Sequence, residues 1–307
     1  MNTPDPRQPR ERSFGPLRFL PGPNRGKYPH CHSVYIEGAK VLIDPASDRD
    51  RLARLRDEEG VEVVILSHWH EDHFAHLDLF NGAAIWIHEK DLPPLRDVEI
   101  LLDWYGMDRR KDPELRDGWR KLILDNFNYA PRNPARLLSG NETLPLGSVT
   151  ARVIHTPGHT PGNIALHFPD LDVLFAADYD LTAFGPWYGD PAGSMEDTVR
   201  SVEALKALNA GVVLTSHETG VFESPAPELY DAYLAVIETR ERKLLEFLNA
   251  PRTLADIVNQ WIVYRKPREP FLFYEWAERA TMEKHLEKLT ACGLVQHREG
   301  RFVRTRG

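Results

Sequence analysis

The sequence predicts an α+β protein in which sheet layers are faced by helices, followed by a small C-terminal unit of three helices and a hairpin. Three observations carry this. Short β-branched runs recur through the first two thirds of the 307 residues and alternate irregularly with amphipathic helices, not in strict β-α-β order. Charge is uneven: residues 1–225 hold 24 basic and 34 acidic side chains, a balance of −10, and residues 226–307 hold 14 and 12, a balance of +2. From Pro227 onward the patterning is helical until a closing hairpin.

The elements follow in order. SVYIEGAKVLID (33–44) alternates Val34, Ile36, Val41 and Ile43 around a Glu-Gly turn, which predicts a β-hairpin. DRDRLARLRDEEG is a short helix closed by Gly60. VEVVILS (61–67) is a nearly continuous apolar run, hence a buried strand, and it ends at His68. AAIWIHE (83–89), VTARVIH (149–155), NIALHF (163–168), VLFAAD (173–178) and VVLTSH (212–217) also read as strands. SMEDTVRSVEALKALNAG is an amphipathic helix with Ser194 as N-cap. Residues 90–138 mix helical segments with aromatics and prolines and read as a helical insertion, a candidate lid.

Beyond a helix from Pro227 to Leu248, TLADIVNQW places Leu254, Ile257, Val258 and Trp261 at helical spacing. A third helix carries Met282, Leu286 and Leu289 on one face, and LVQHREGRFVRTR reads as a hairpin. Helix, helix, helix, hairpin is the order of a winged-helix module. The expected division is a loosely ordered N-terminus (1–13), a main sheet-bearing domain (14–225, insertion about 90–138) and a winged-helix-like domain (226–307).

Cys31 and Cys292 lie far apart and outside any CxxC pair, which argues against a disulfide framework. MNTPDPRQPRERSFG lacks the apolar run of a secretory signal, and no stretch of ~18 apolar residues could span a membrane. A cytoplasmic location is expected.

Several strands end in metal-capable residues. VEVVILS leads to His68, His70, Asp72 and His73; VTARVIH leads through TPG to His159; VLFAA ends at Asp178; VVLTS ends at His217. Seven ligands exceed the four of one tetrahedral zinc and point to two metals. Within the first group, His68 and His70 point one way along an extended loop, while Asp72 and His73 begin a helix and turn elsewhere. One ion could take His68, His70 and His159, the other Asp72, His73 and His217, with Asp178 between them. Two adjacent divalent ions activate a water as hydroxide at neutral pH.

At these residues the sequence resembles the metallo-β-lactamase superfamily. HWHEDH (68–73) matches its HxHxDH motif, HTPGHTPG (155–162) its second histidine motif, Asp178 in FAAD its bridging aspartate, and His217 in TSHETG its last histidine. The resemblance covers roughly residues 14–225. It implies an αββα four-layer sandwich and two divalent ions, zinc in the first instance, with manganese or iron as alternatives. It also implies a hydrolase in which a hydroxide held between the metals attacks a small ester-like substrate (a thioester, lactone or related acyl compound), with Asp72 orienting it. The tail is similar to the winged-helix-like tail of the branch that includes β-lactamase-like endoribonucleases. The sequence departs from the pattern at Phe74, Ala75 and His76, at Glu218 and at Asn163, all outside the ligand set.

Other residues are weighed by position. Glu71, flanked by ligands, should project away from them, and His76 reads as a solvated or capping histidine. His155 supports a neighbour, and His88 matches no ligand. His30, His32, Trp187 and Tyr188 are candidates to contact substrate; Asp103, Trp104 and Tyr105 are equally open. The expected partner is a small molecule. Nucleic acid is disfavoured because Glu283 and Glu287 oppose phosphate binding despite Arg298, Arg301, Arg304 and Arg306, and a homodimer through the tail stays open. Alternatives to the esterase are an endoribonuclease and an iron-dependent sulfur dioxygenase on the same ligands.

Overall fold

The computed structural model describes residues 8–108 and 113–305. A seven-stranded sheet holds β1 (Arg12–Phe14), β2 (Leu17–Leu20), β3 (Ser33–Ile36), β4 (Val41–Ile43), β5 (Val63–Ile65), β6 (Ala84–His88) and β7 (Arg136–Leu138) in that order. A six-stranded sheet holds β8 (Thr143–Leu146), β9 (Val149–His155), β10 (Ile164–Phe168), β11 (Val173–Phe175), β12 (Val212–Leu214) and β13 (Val221–Glu223), in reverse order from β13 to β8. In the first sheet β4 through β7 are parallel to one another, and the earlier pairs are antiparallel.

Period-two alternation decides which layer each side chain joins. Val34, Ile36, Val41, Ile43 and Ile65 point into the core between the sheets and meet Val153, Leu166, Phe168 and Phe175. Tyr35, Leu42 and Val64, one residue out of phase, face the outer helical layer. Helices cover both outer faces. α1 (Pro23–Gly26) is a single turn in which Asn24 and Arg25 take left-handed φ; α2 (Arg49–Glu58) packs Leu52 and Leu55 on the first sheet. α3 (Glu71–Phe74) follows β5, and α4 (Leu92–Arg96), α5 (Val98–Trp104) and α6 (Pro113–Asn126) fill the insertion. α7 (Met195–Ala207), capped by Ser194, covers the second sheet through Val202 and Leu205. The arrangement is the expected αββα sandwich.

α8 (Pro227–Phe247) begins over the second sheet, where Tyr230 and Tyr233 meet Val213. It ends in a different cluster, where Leu244 and Leu248 join residues of α9 (Leu254–Val258) and α10 (Phe271–Ala291). The expected boundary at 225/226 therefore falls at the start of a helix that both units share. β14 (Val295–Arg298) and β15 (Arg301–Arg304) form the closing hairpin.

Two expectations are corrected. Residues 12–14, placed at the edge of a loose N-terminus, pair with β2 as an edge strand; residues 1–7 lie outside the described residues, as does Arg306. The insertion does not run to 138, because Arg136–Leu138 pair with β6. β1, β2, β7, β8 and β13 are three or four residues long, and none sits in a longer β-branched run of the kind that marks β5 or β12. Among the described residues no helix is long and apolar enough to cross a membrane.

Phe168 fills the space between the sheets with no exposure. Phe168→Ala should cost ~3–5 kcal/mol by removing a large core side chain and leaving a cavity, measured by urea unfolding. An unchanged midpoint would place Phe168 outside the core.

Candidate metal centre

β5 stops at Ile65, and the chain turns across the ends of both sheets. Leu66 N–H donates to Trp86 O and Ile164 N–H to Ser67 O, which pins the segment carrying His68 and His70 between β6 and β10. His70 is the extended N-cap of α3, so Asp72 and His73 stand in its only turn, rotated away from His68 and His70. His159 follows Gly158, whose φ of 129° and close approach to Thr198, 2.3 Å from a hypothetical Cβ to the backbone N, admit only glycine. Asp178 lies just past β11 and His217 just past β12, two neighbouring parallel strands.

These seven side chains form two groups whose ligand atoms lie within 4.8 Å of one another: His68, His70, His159 and Asp178, and Asp72, His73 and His217. In the first group His68 Nε2 is 3.0 Å from His70 Nδ1, and His159 Nε2 is 3.1 and 2.9 Å from those two atoms. Asp178 Oδ2 lies 3.1 Å from His159 Nε2 and 3.9 Å from His68 Nε2. A tetrahedron with zinc–nitrogen bonds of ~2.0–2.1 Å has edges of about 3.3 Å, within this range. Asp178 turns its other oxygen, Oδ1, to the second group, 3.0 Å from His73 Nε2 and 3.4 Å from His217 Nε2. Asp72 approaches the same two nitrogens at 3.9 and 3.7 Å. The carboxylate of Asp178 thus stands between the groups with one oxygen for each.

The outer ring nitrogens fix what the inner ones present. His73 Nδ1 lies 2.9 Å from Asp44 Oδ2, His70 Nε2 2.7 Å from Asp190 Oδ2, and His159 Nδ1 3.2 Å from Trp187 O; His217 Nδ1 bonds Gly26 O. Carboxylates and carbonyls only accept, so each of these nitrogens carries the proton. Ser67 Oγ donates to Asp44 Oδ2 at 2.6 Å, which leaves it to accept from His68 Nδ1 at 2.9 Å. A neutral histidine with its outer nitrogen protonated bears a lone pair on the inner one. Five lone pairs and two carboxylates converging at 3–4 Å repel unless positive charge sits among them. His73 Nε2 and Asp178 Oδ1 are buried atoms with no hydrogen-bond partner, as ligand atoms awaiting a cation would be. The donor set fits two divalent ions, and the outer partners form the carboxylate–histidine pattern typical of metal sites.

Without metal, protons take that place. Burial works against charge on His73, but Asp178 and Asp44 outweigh it and hold the imidazole well above the ordinary histidine range. His159 is raised in the same way, burial opposing and Asp178 prevailing. For His217, burial is outweighed by Asp178 and Asp180, and the value stands at about 10. His68, which has the weakest hold on a carboxylate, is depressed by burial and by His73.

The remaining candidates are sorted by where they lie. A cavity of about 350 Å³ opens over the two groups, with His70, Asp72, His159, Asp178 and His217 on its floor and Trp187 in its wall. Its lining does not include His30, His32 or Tyr188, the other residues expected from sequence to contact substrate. His32 is fully buried; its Nδ1 accepts from Gly22 N–H at 2.9 Å, its ring packs against Phe19, and burial depresses it to about 3. It stacks beneath the loops that carry Gly26 and Gly220, a structural task. The Tyr188 hydroxyl is turned to His285 and Arg240.

Glu71 stays out of both ligand groups, as expected, but it lines the cavity. Its carboxylate accepts from Tyr28 at 2.9 Å and from Tyr105, and burial, then Asp72, raises it to about 7. His76 sits half-buried beside Arg49, and His88 stacks on His155. Sequence reasoning missed Asp44, Asp190 and the carbonyls of Trp187 and Gly26. Only Asp44, the residue directly after β4, carried any signal, as an acid at a strand end.

The raised histidines set a sign. Metal must displace protons from His73, His159 and His217, so affinity should rise with pH through neutrality toward about 10. Calorimetric zinc titration in buffers of different ionisation enthalpy should show net proton release at pH 7; heats independent of buffer would contradict the assignment. In the metal-free chain the stabilisation from protonated His217 is complete below the ordinary histidine value and fades as pH rises through about 10.

The chain matches the family model of the metallo-beta-lactamase superfamily over residues 26–217. It is 30% identical over 178 residues to acyl-coenzyme A thioesterase MBLAC2 of Gallus gallus, covering 57% of this chain and 58% of that protein. It therefore spans under two thirds of that relative's length. It is 51% identical over 74 residues to a hydroxyacylglutathione hydrolase of Hyphomonas neptunium, covering 24% of this chain and 28% of that one. A metallo-beta-lactamase family protein from Thermus thermophilus superposes with a TM-score of 0.69 at 24% identity, covering 94% of this chain and 99% of that one. With most of both sheets inside the match and the histidine motifs in place, this chain belongs to the metallo-beta-lactamase superfamily.

Proposed function

We propose that the protein is a dinuclear metal-dependent hydrolase of acyl thioesters and related small esters. One observation carries this reading: a single cavity has the ligand set as its floor and aromatic rings as its wall. Tyr105, Trp187, Tyr264, Phe273, Tyr274 and Trp276 line it, with Lys27 and Arg268 among them. An apolar acyl chain suits the rings, and an anionic leaving group suits the two cations. The thioester hydrolase named among the relatives supports the same class.

Each residue has a task under this reading. His68, His70 and His159 would hold one ion and Asp72, His73 and His217 the other, with Asp178 offering an oxygen to each group. Two divalent ions supply Lewis acidity and lower the pKa of a bound water toward neutrality. Asp72, on the cavity floor, orients the attacking water and accepts its proton. The Tyr28 and Tyr105 hydroxyls, fixed by Glu71, shape the end of the cavity beside Asp72. The Trp276 Nε1–H donates to Tyr105 O at 3.2 Å, which ties the insertion to α10. The −10 balance of residues 1–225 opposes entry of a polyanion such as RNA.

Metal-reconstituted protein should turn over acyl thioesters in preference to phosphodiesters and short RNAs, and Asp178→Ala should abolish both turnover and two-ion binding. Cleavage of RNA with thioesters untouched would sink the reading. Iron content coupled to oxygen uptake would move it to the dioxygenase class.

Arg268 lies over the Tyr264 and Tyr274 rings at 5.6 and 5.8 Å, with no carboxylate in ion-pair range among the described residues. Arg268→Met should raise KM for an acyl-coenzyme A roughly fivefold, as loss of one exposed charge contact does. For a neutral thioester of the same acyl chain KM should stay unchanged, and equal changes for the two would remove Arg268 from leaving-group binding.

A further inference from the structure

A buried arginine on α8 bonds a loop that in turn bonds two of the candidate ligand histidines. Residues 184–191 (FGPWYGDP) run between the ligand set and the C-terminal helices. On its inner side this strap supplies Trp187 O to His159 Nδ1 at 3.2 Å and Asp190 Oδ2 to His70 Nε2 at 2.7 Å. Both histidines belong to the same group, the one completed by His68 and Asp178. No bond of this kind runs from the strap to Asp72, His73 or His217 among the described residues. His73 and His217 are held from the other end of the site, by Asp44 and Gly26.

On its outer side the strap is held from α8 and α10. Arg240 Nη1 donates to Pro186 O at 2.9 Å and to the Tyr188 hydroxyl at 3.0 Å, and Nη2 donates to Phe184 O at 2.8 Å. The Tyr188 hydroxyl, accepting from Arg240, donates to His285 Nε2 at 2.9 Å. Lys284 Nζ donates to Pro191 O at 2.7 Å. The backbone is pressed close enough that Cβ atoms at Gly185 and Gly189 would stand 2.5 Å from Val236 of α8 and 3.3 Å from Ala280 of α10.

Arg240 is only 3% exposed, and no carboxylate lies in ion-pair range of it among the described residues. The nearby acids are engaged elsewhere: Glu241 with Lys288, and Glu278 with the Val263 and Tyr264 N–H groups. A buried guanidinium without a counter-ion is costly, and an apolar side chain would pack there at less cost. What the guanidinium does that no apolar residue can is fix two carbonyls and a hydroxyl of one loop at once.

We propose that Arg240 is a positioning residue for the ion held by His68, His70 and His159. By fixing the strap it sets the Trp187 carbonyl and Asp190 that orient His159 and His70, so the C-terminal unit tunes the affinity of one of the two metals. The inference rests on the two-ion reading of the site.

The test is a zinc titration of the full-length metal-free protein against a chromophoric chelator. Wild type should take up two ions. Arg240→Met should weaken one of them by roughly 10–100-fold, the range for loss of outer support to a ligating histidine, and leave the other within about twofold. Asp190→Asn should weaken the same ion, and the double variant should fall short of the product of the two single effects. Arg240→Lys should recover part of the loss, which a mere packing defect would not allow. Two unchanged affinities in Arg240→Met, or equal loss of both ions, would overturn the proposal. If Arg240→Met fails to fold, Tyr188→Phe takes its place, with a several-fold loss at one ion expected and unchanged binding overturning the idea. A wild type that binds fewer than two ions would instead overturn the reading of the site itself.

Discussion

The histidine rings are committed before any metal arrives, because their outer nitrogens have only acceptors to bond. Asp44, Asp190, Trp187 O and Gly26 O each accept a hydrogen bond from a ring N–H, and Ser67 is made an acceptor by its own bond to Asp44. Every neutral ring is thereby left with its lone pair on the inner nitrogen, open to a cation or a second proton. The rest of the architecture serves to bring these mutually repelling groups to one place, which only the interlocked ends of two sheets and their loops can do. Folding energy from the core between the sheets opposes that repulsion, and cations or protons relieve it.

This constraint separates what was legible in the sequence from what was not. His68, His70, Asp72 and His73 are close in sequence, and His159, Asp178 and His217 stand at strand ends, so spacing and patterning exposed them. Their supporters are scattered. Asp190 lies 120 residues from His70, and Gly26 lies 191 from His217. No periodicity joins such pairs; only the closed loops do. β5, β11 and β12 are only three residues long yet were legible because they sit in longer apolar runs such as VEVVILS and VVLTS, whereas the edge strands β1, β7 and β13 do not.

His32 and Glu71 show the limits from both sides. His32 was a reasonable pocket candidate as a histidine before a strand near the site, yet its environment is a tight stack under two glycine-containing loops, which sequence does not display. Glu71 was rightly excluded from the ligands by its flanks. Its outward direction does not lead to solvent, however, because the insertion folds Tyr105 back over it and Tyr28 closes the other side. A residue turned away from a metal on a one-turn helix still ends inside the cavity when another element covers that helix.

The division of the cavity bears on how far relatedness can carry function. Its floor comes from residues within 26–217, the span that matches the superfamily. Much of its wall does not: Tyr264, Arg268, Phe273, Tyr274 and Trp276 all lie beyond that span, on α10 and the connector before it. The floor thus lies within the matched span, whereas much of the wall belongs to α10 and the connector before it, so residues of the C-terminal unit shape the cavity above the candidate ligands. The same unit reaches the floor through the strap at residues 184–191. A change in α8 or α10 that reshapes the wall would therefore also act on the strap whose Trp187 carbonyl and Asp190 bond His159 and His70.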